Sequence, residues 1–175
     1  ISTMRRAGAI VAEVLQVLKE NVRPGVTTLD LEKIAEELTK KKKASPAFKG
    51  YRGYPFCLCT SINNEVVHGM PSTRALKEGD IVSIDYGARV DGFYGDAALT
   101  VPVGAVTEDA ARLVRVTAES LEKAVEAARE GNRLQDISAA VQSHVEPEGF
   151  SVVREFVGHG IGRELHEPPQ VPNFG

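Results

Sequence analysis

Residues 81–101 read IVSIDYGARVDGFYGDAALTV: two runs rich in β-branched and aromatic residues around a central Asp91-Gly92. A two-residue Asp-Gly loop between such runs is the strongest short-range signal for a β-hairpin. With that loop, Val90 faces Phe93, Gly87 faces Asp96 and Asp85 faces Ala98. Asp85 and Asp96 then lie on one face as diagonal neighbours, their Cβ atoms within about 7–8 Å. A turn one residue longer would send them to opposite faces. Two carboxylates set among apolar strands need a cation or a shared proton to offset repulsion and desolvation. Taken alone, the pair is either a salt-bridged structural feature or a cation site.

The bulk composition narrows the class. The chain has 175 residues, 42% hydrophobic and 26% charged, with a net charge of −3. That is ordinary for a globular protein and long enough for one good core. There is no basic field to attract nucleic acid, and no apolar run approaches the ~20 residues of a membrane span. The N-terminal ISTMRRAGAIVAEVL carries charges within a helical pattern and lacks the layout of a signal peptide. The chain starts with Ile, so residues upstream are expected. Cys57 and Cys59 are too few for a structural zinc site and too close for an unstrained disulfide. They read as reduced thiols of a cytoplasmic protein.

Working outward, Ala7, Ile10, Val11, Val14, Leu15 and Leu18 predict a helix over residues 3–22, capped by Ser2 or Thr3 and stopped by Arg23-Pro24-Gly25. A second helix is predicted from Thr28 to Lys42, capped by Thr27 or Thr28, with Lys40–Lys43 as its solvated end and not a nucleic-acid patch. SPAFKGYRGYPFCLCT follows, with Phe48, Tyr51, Tyr54 and Phe56 on a loop that could line an apolar pocket or plug a sheet edge, and a strand around 56–61. Beyond the hairpin, helices are predicted over 107–129 and 134–145. The first carries an apolar stripe of Leu113, Val114, Ala118, Leu121, Ala124, Val125 and Ala128. His144 reads as a surface residue without a role. Phe156-Val157 suggests a strand, left sharply through Gly158-His159-Gly160; His166-Glu167-Pro168-Pro169 reads as a rigid loop.

The helix pairs repeat at an offset of 106: Ala12 matches Ala118, Leu15 Leu121, Glu20 Glu126, Arg23 Arg129, Gly25 Gly131 and Asp30 Asp136. Each copy reads helix, glycine stop, helix. The same offset carries Asp85 and Asp96 past the last residue, so the second half is expected to be truncated. One domain, 1–175, is predicted, with half-repeats of about 1–101 and 107–175. His68, His159 and His166, three of the four histidines, sit in glycine- or proline-bearing loops.

NNEVVHGMP, SIDYGARVDGFYGDAA and GHGIGRELHEPPQVPNFG together resemble the type I methionine aminopeptidases, in the same order and over nearly the whole chain. The resemblance implies an α+β pita-bread fold, a pseudo-twofold repeat of helix-helix-strand units around an antiparallel sheet. It implies two divalent ions, of Co, Mn, Fe or Zn, in a cleft between the halves. By the same resemblance Asp85, Asp96 (bridging) and His159 are metal ligands, and His68 and His166 contact substrate and the developing tetrahedral intermediate. Phe48, Tyr51, Tyr54 and Cys59 fall in the methionine pocket, as does Leu165, where many members carry phenylalanine. Two further glutamate ligands are implied downstream of Gly175; Glu164 and Glu167 do not match them.

The function so implied is metal-dependent removal of N-terminal methionine from nascent polypeptides, close to the ribosome, by a cytoplasmic monomer with no direct nucleic-acid partner and no membrane. An X-Pro aminopeptidase of the same fold is the alternative enzyme, disfavoured by the Asn63–Pro71 segment. A non-catalytic binding protein on this fold is the alternative outside enzymology. Retention of the aspartates and loop histidines counts against it.

Overall fold

A computed structural model describes residues 1–175. Its contacts divide the chain into two compact units, Ile1–Thr107 with Ile161–Leu165, and Glu108–Gly160 with His166–Gly175.

The first unit begins with α1 (Ser2–Asn21) and α2 (Thr28–Lys41). α1 buries Ala7, Val11, Val14, Leu15 and Leu18, the stripe expected from the period. Its cap differs from expectation: Ser2 is already helical, and Ile1 in the cap position makes no side-chain bond. α2 is capped as expected, by a reciprocal box in which Asp30 N–H donates to Thr27 Oγ1 and Thr27 N–H to Asp30 Oδ2, both at 3.1 Å. Behind the helices lie β1 (Ser45–Pro46), β2 (Leu58–Ile62), β3 (Ile81–Val90) and β4 (Phe93–Pro102). β3 is central, pairing antiparallel with β4 along its full length and with β2 and β1 on its other side. Val82, Ile84, Tyr86 and Ala88 of β3 face the core with α1 and Leu31 and Ala35 of α2. Each fully buried aliphatic side chain there contributes about 1.5–3 kcal/mol.

The hairpin register is the expected one: Val90 opposite Phe93, Gly87 opposite Asp96, Asp85 opposite Ala98. Asp91 (φ 47°) and Gly92 (φ 83°) both take positive φ, as a type I′ turn requires. Gly95 allows α1 to lie against β4, since a Cβ there would come within 2.8 Å of Gly8 N and 2.9 Å of Ala7 C.

The second unit repeats the helix pair. α3 (Glu108–Ala127) and α4 (Leu134–Val145) begin at the α1 and α2 starts displaced by 106 residues. Arg133 N–H donates to Asp136 Oδ2 at 2.7 Å, as Thr27 N–H does to Asp30, and Gly25 and Gly131 share a left-handed φ (89° and 93°). α3 departs from its predicted stripe: Val116, Ser120 and Ala124 are buried, while Leu121 and Val125 are more than 60% exposed. Periodicity marks an apolar face without saying which part a neighbour covers. Here α4 covers the small-residue side. His144 is also more engaged than expected: it is half-buried, with Nε2 3.1 Å from Glu119 Oε2, and Arg115 grips the same carboxylate.

Strand placement differs near the C-terminus. Phe156-Val157 forms no strand; β5 is Gly158–Gly160 and β6 is Glu167–Val171, the segment expected to be loop. Glycine makes the pairing possible, because a Cβ at Gly160 would meet Pro168 O at 2.4 Å. Propensity counts glycine and proline against strands, so the pair was invisible to it.

Gly95→Ala should therefore destabilise the fold by about 1–3 kcal/mol through forced displacement of α1, measured by urea unfolding. Gly8→Ala, at a helical position with open space around it, should be neutral or stabilising by up to about 1 kcal/mol.

Candidate metal centre and side-chain pocket

Asp85 and Asp96 share the sheet face opposite the core, as the register dictates. Burial, then the charge of Asp96 and a hydrogen bond between the two carboxyl groups, push the Asp85 carboxyl well above the usual carboxylate range, and every contribution acts upwards.

Cys59 lies directly opposite Asp85 across the β2–β3 ladder. It belongs to a small buried cluster with Ala47, Phe48 and Leu165, against which Tyr51, Tyr54, Tyr94 and Ile161 pack. Phe48 closes over the sheet because Gly87 has no side chain; a Cβ there would lie 2.7 Å from Ala47 Cβ and 3.0 Å from Phe48 Cε1. Tyr54 donates its hydroxyl to Leu58 O at 2.8 Å. Burial first, and then the two aspartates, push the Cys59 thiol up to about 11, an effect its bond with Tyr54 only partly offsets. At neutral pH Cys59 is a neutral sulfur in an apolar wall, not a nucleophile.

His68 closes the exposed loop after β2 in a left-handed conformation (φ 61°). The loop is pinned beside it, where Thr60 N–H donates to Gly69 O at 2.7 Å and Gly69 N–H to Ser61 Oγ at 3.1 Å. In the second unit, β5 carries His159 and His166 immediately precedes β6, with ring centroids 4.3 Å apart. His159 Nδ1 is 2.9 Å from Gly160 O. A carbonyl can only accept, so Nδ1 carries the proton and Nε2 keeps the lone pair, the tautomer a metal-ligating imidazole needs.

The structure thus gathers Asp85, Asp96, Phe48, Tyr51, Tyr54, Cys59, His68 and Leu165 in one unit, and His159 and His166 in the other. One group escaped sequence reading. Glu32, Glu36 and Cys57 bring their donor atoms within 4.8 Å of one another. The i,i+4 spacing of the glutamates was its only trace. A groove of about 540 Å³ along α3 and α4 holds none of these residues.

Residues 2–175 match the sequence pattern of metallopeptidase family M24. The chain belongs to that family. Its M24 relatives include a methionine aminopeptidase of Clostridium perfringens, 56% identical over 175 residues, covering 100% of this chain and 70% of that protein. A crystal structure of methionine aminopeptidase from Thermotoga maritima superposes with a TM-score of 0.98 at 50% identity, over 99% of this chain and 70% of that one. The pita-bread architecture read from the sequence is therefore the fold. A prolidase from Pyrococcus furiosus, TM-score 0.85 at 23% identity over 99% of this chain and 50% of that one, shares the fold alone.

A family M24 enzyme uses divalent metal, and the donors here fit one. Two buried carboxyl groups sharing one sheet face offer oxygen donors of the kind a divalent ion takes. The charge argument also fixes a pH dependence. Because Asp85 titrates higher folded than unfolded, its contribution to metal-free stability is complete below about pH 4 and is lost as pH rises through the raised folded value. In chelator, urea unfolding should show stability falling over that range, and Asp85→Asn should flatten the fall.

Proposed function

We propose that this chain is a methionine aminopeptidase in which Asp85, Asp96 and His159 supply part of the ligand set of a dinuclear metal centre. The observation supporting this most is the position of the Cys59 pocket one strand away from the carboxylate pair. The ions, when bound, supply an activated water and polarise the scissile carbonyl.

The residues do the rest. Phe48, Tyr51, Tyr54, Cys59 and Leu165 enclose an apolar side chain; an uncharged thiol and aromatic faces suit a thioether. His166 donates a hydrogen bond to the oxygen that gains charge on attack. His68, presented by a loop pinned on both sides, orients the substrate backbone, and its left-handed backbone is the sort of strain found at functional positions. Substrates are N-terminal methionines of peptides and nascent chains, and the enzyme acts near the ribosome as a cytoplasmic monomer. No helix is long and apolar enough to cross a membrane.

The apolar cluster also separates this reading from an X-Pro peptidase: apolar and aromatic groups beside the carboxylates favour selection by the first side chain of the substrate. A binding protein would gain nothing from two carboxyl groups buried side by side on one sheet face, an arrangement that costs stability.

Asp96→Asn should remove metal and abolish hydrolysis of a Met-Ala-Ser peptide. His166→Ala should lower kcat by roughly 10²–10³, the value of one oxyanion donor, with metal content unchanged by elemental analysis. Loss of metal in the His166 variant would reassign that residue as a ligand.

A further inference from the structure

Glu32 is a carboxylate in the core, 4% exposed, on a helix that otherwise shows its acids to solvent. Both oxygens are used: Oε1 accepts from Cys57 N–H at 2.7 Å and Oε2 from Leu58 N–H at 2.9 Å. These are the amides that lead into β2. The Leu58 carbonyl then receives the Tyr54 hydroxyl, and the next residue is Cys59. One turn further along α2, Glu36 holds the ammonium of Lys49, the residue after Phe48.

We propose that α2 positions the substrate pocket, with Glu32 fixing the Tyr54–Cys59 wall and Glu36 fixing the Phe48 wall through Lys49. The inference rests on the reading of the Cys59 cluster as the methionine pocket, and assigns α2, which does not line it, the setting of its width. An apolar residue at 32 would leave two amides buried without acceptors, and β2 would begin elsewhere.

The same side chains could be taken for a metal site, since their donor atoms lie within 4.8 Å. Occupancy argues otherwise. Both Glu32 oxygens are filled by backbone amides, Glu36 by Lys49, and burial pushes the Cys57 thiol up to about 12, so it stays protonated. A cation would have to break all of these.

Glu32→Gln keeps the shape but turns an amide NH₂ towards one of the two N–H groups. In the metal-loaded enzyme, KM for a Met-initiated peptide should rise roughly tenfold, the effect of about 1.4 kcal/mol, with kcat and metal content little changed. Preference for a Met- over a Leu-initiated peptide should fall. Thr39→Val supplies a matched loss of stability from the same helix, because the Tyr86 hydroxyl donates to Thr39, which donates to Ala35 O; it should leave that preference intact. Should E32Q not fold, Glu36→Gln tests the second wall by the same readouts. Equal loss of rate on both peptides with unchanged KM, or the same loss of preference in T39V, overturns the proposal. So does loss of one Mn²⁺ equivalent in E32Q, which would make the cluster a metal site. Absence of any Met preference in the unsubstituted enzyme would instead sink the pocket reading beneath it.

Discussion

Two carboxylates on one sheet face repel each other, and the turn between their strands gives them no way apart. Asp91 and Gly92 fix a type I′ geometry, the geometry fixes the register, and the register fixes Asp85 beside Asp96. Ten consecutive residue pairs in the ladder hold that arrangement, so the local repulsion cannot unseat it. The strain appears instead as protonation: Asp85 keeps a proton that an exposed aspartate would have lost. Anything that replaces the proton with more positive charge is bound by the fold's own stability. The centre is thus prepared before any ligand arrives.

Neighbouring features are consistent with that one constraint. The face carrying the aspartates could not also be core, so α1 and the apolar residues of β3 occupy the opposite side. On the carboxylate face, Gly87 leaves room for Ala47 and Phe48 to cross the sheet. The thiol of Cys59, opposite Asp85, is kept neutral chiefly by burial. The burial that raises the Asp85 carboxyl also keeps the adjoining sulfur protonated and inert.

Much of this was legible because it depends on local rules. Asp91-Gly92 announced the hairpin, and the register placed both aspartates. The helix pair repeated at constant offset down to its capping acids, since Asp30 and Asp136 make the same bond to their own cap. What stayed hidden depends on partners distant in sequence. Glu32 looks like any acid in LDLEKIAEELTKKKK, and only the amides of Cys57 and Leu58 reveal why it is buried. β5 and β6 are built from glycine and proline, where pairing is set by close backbone approach and not by side-chain propensity. The apolar stripe of α3 predicted a buried Leu121 and Val125, yet the residues buried on that helix are Val116, Ser120 and Ala124.

Fold alone leaves the substrate open, since the same backbone can serve different peptidases. The spacing on the sheet narrows it. Neighbouring strands lie about 4.8 Å apart, so Cys59 in the pocket wall and Asp85 on the next strand are separated by roughly the distance from a side chain's root to the far side of its own peptide unit. On the proposed reading, a side chain seated against Cys59 and Phe48 would bring its own α-amino group and first carbonyl towards the carboxylates. An internal residue would have to thread a second peptide bond across buried acids that favour a cation. On the proposed reading, the preference for a chain end and the preference for a metal share one electrostatic origin, the two carboxyl groups held on one sheet face.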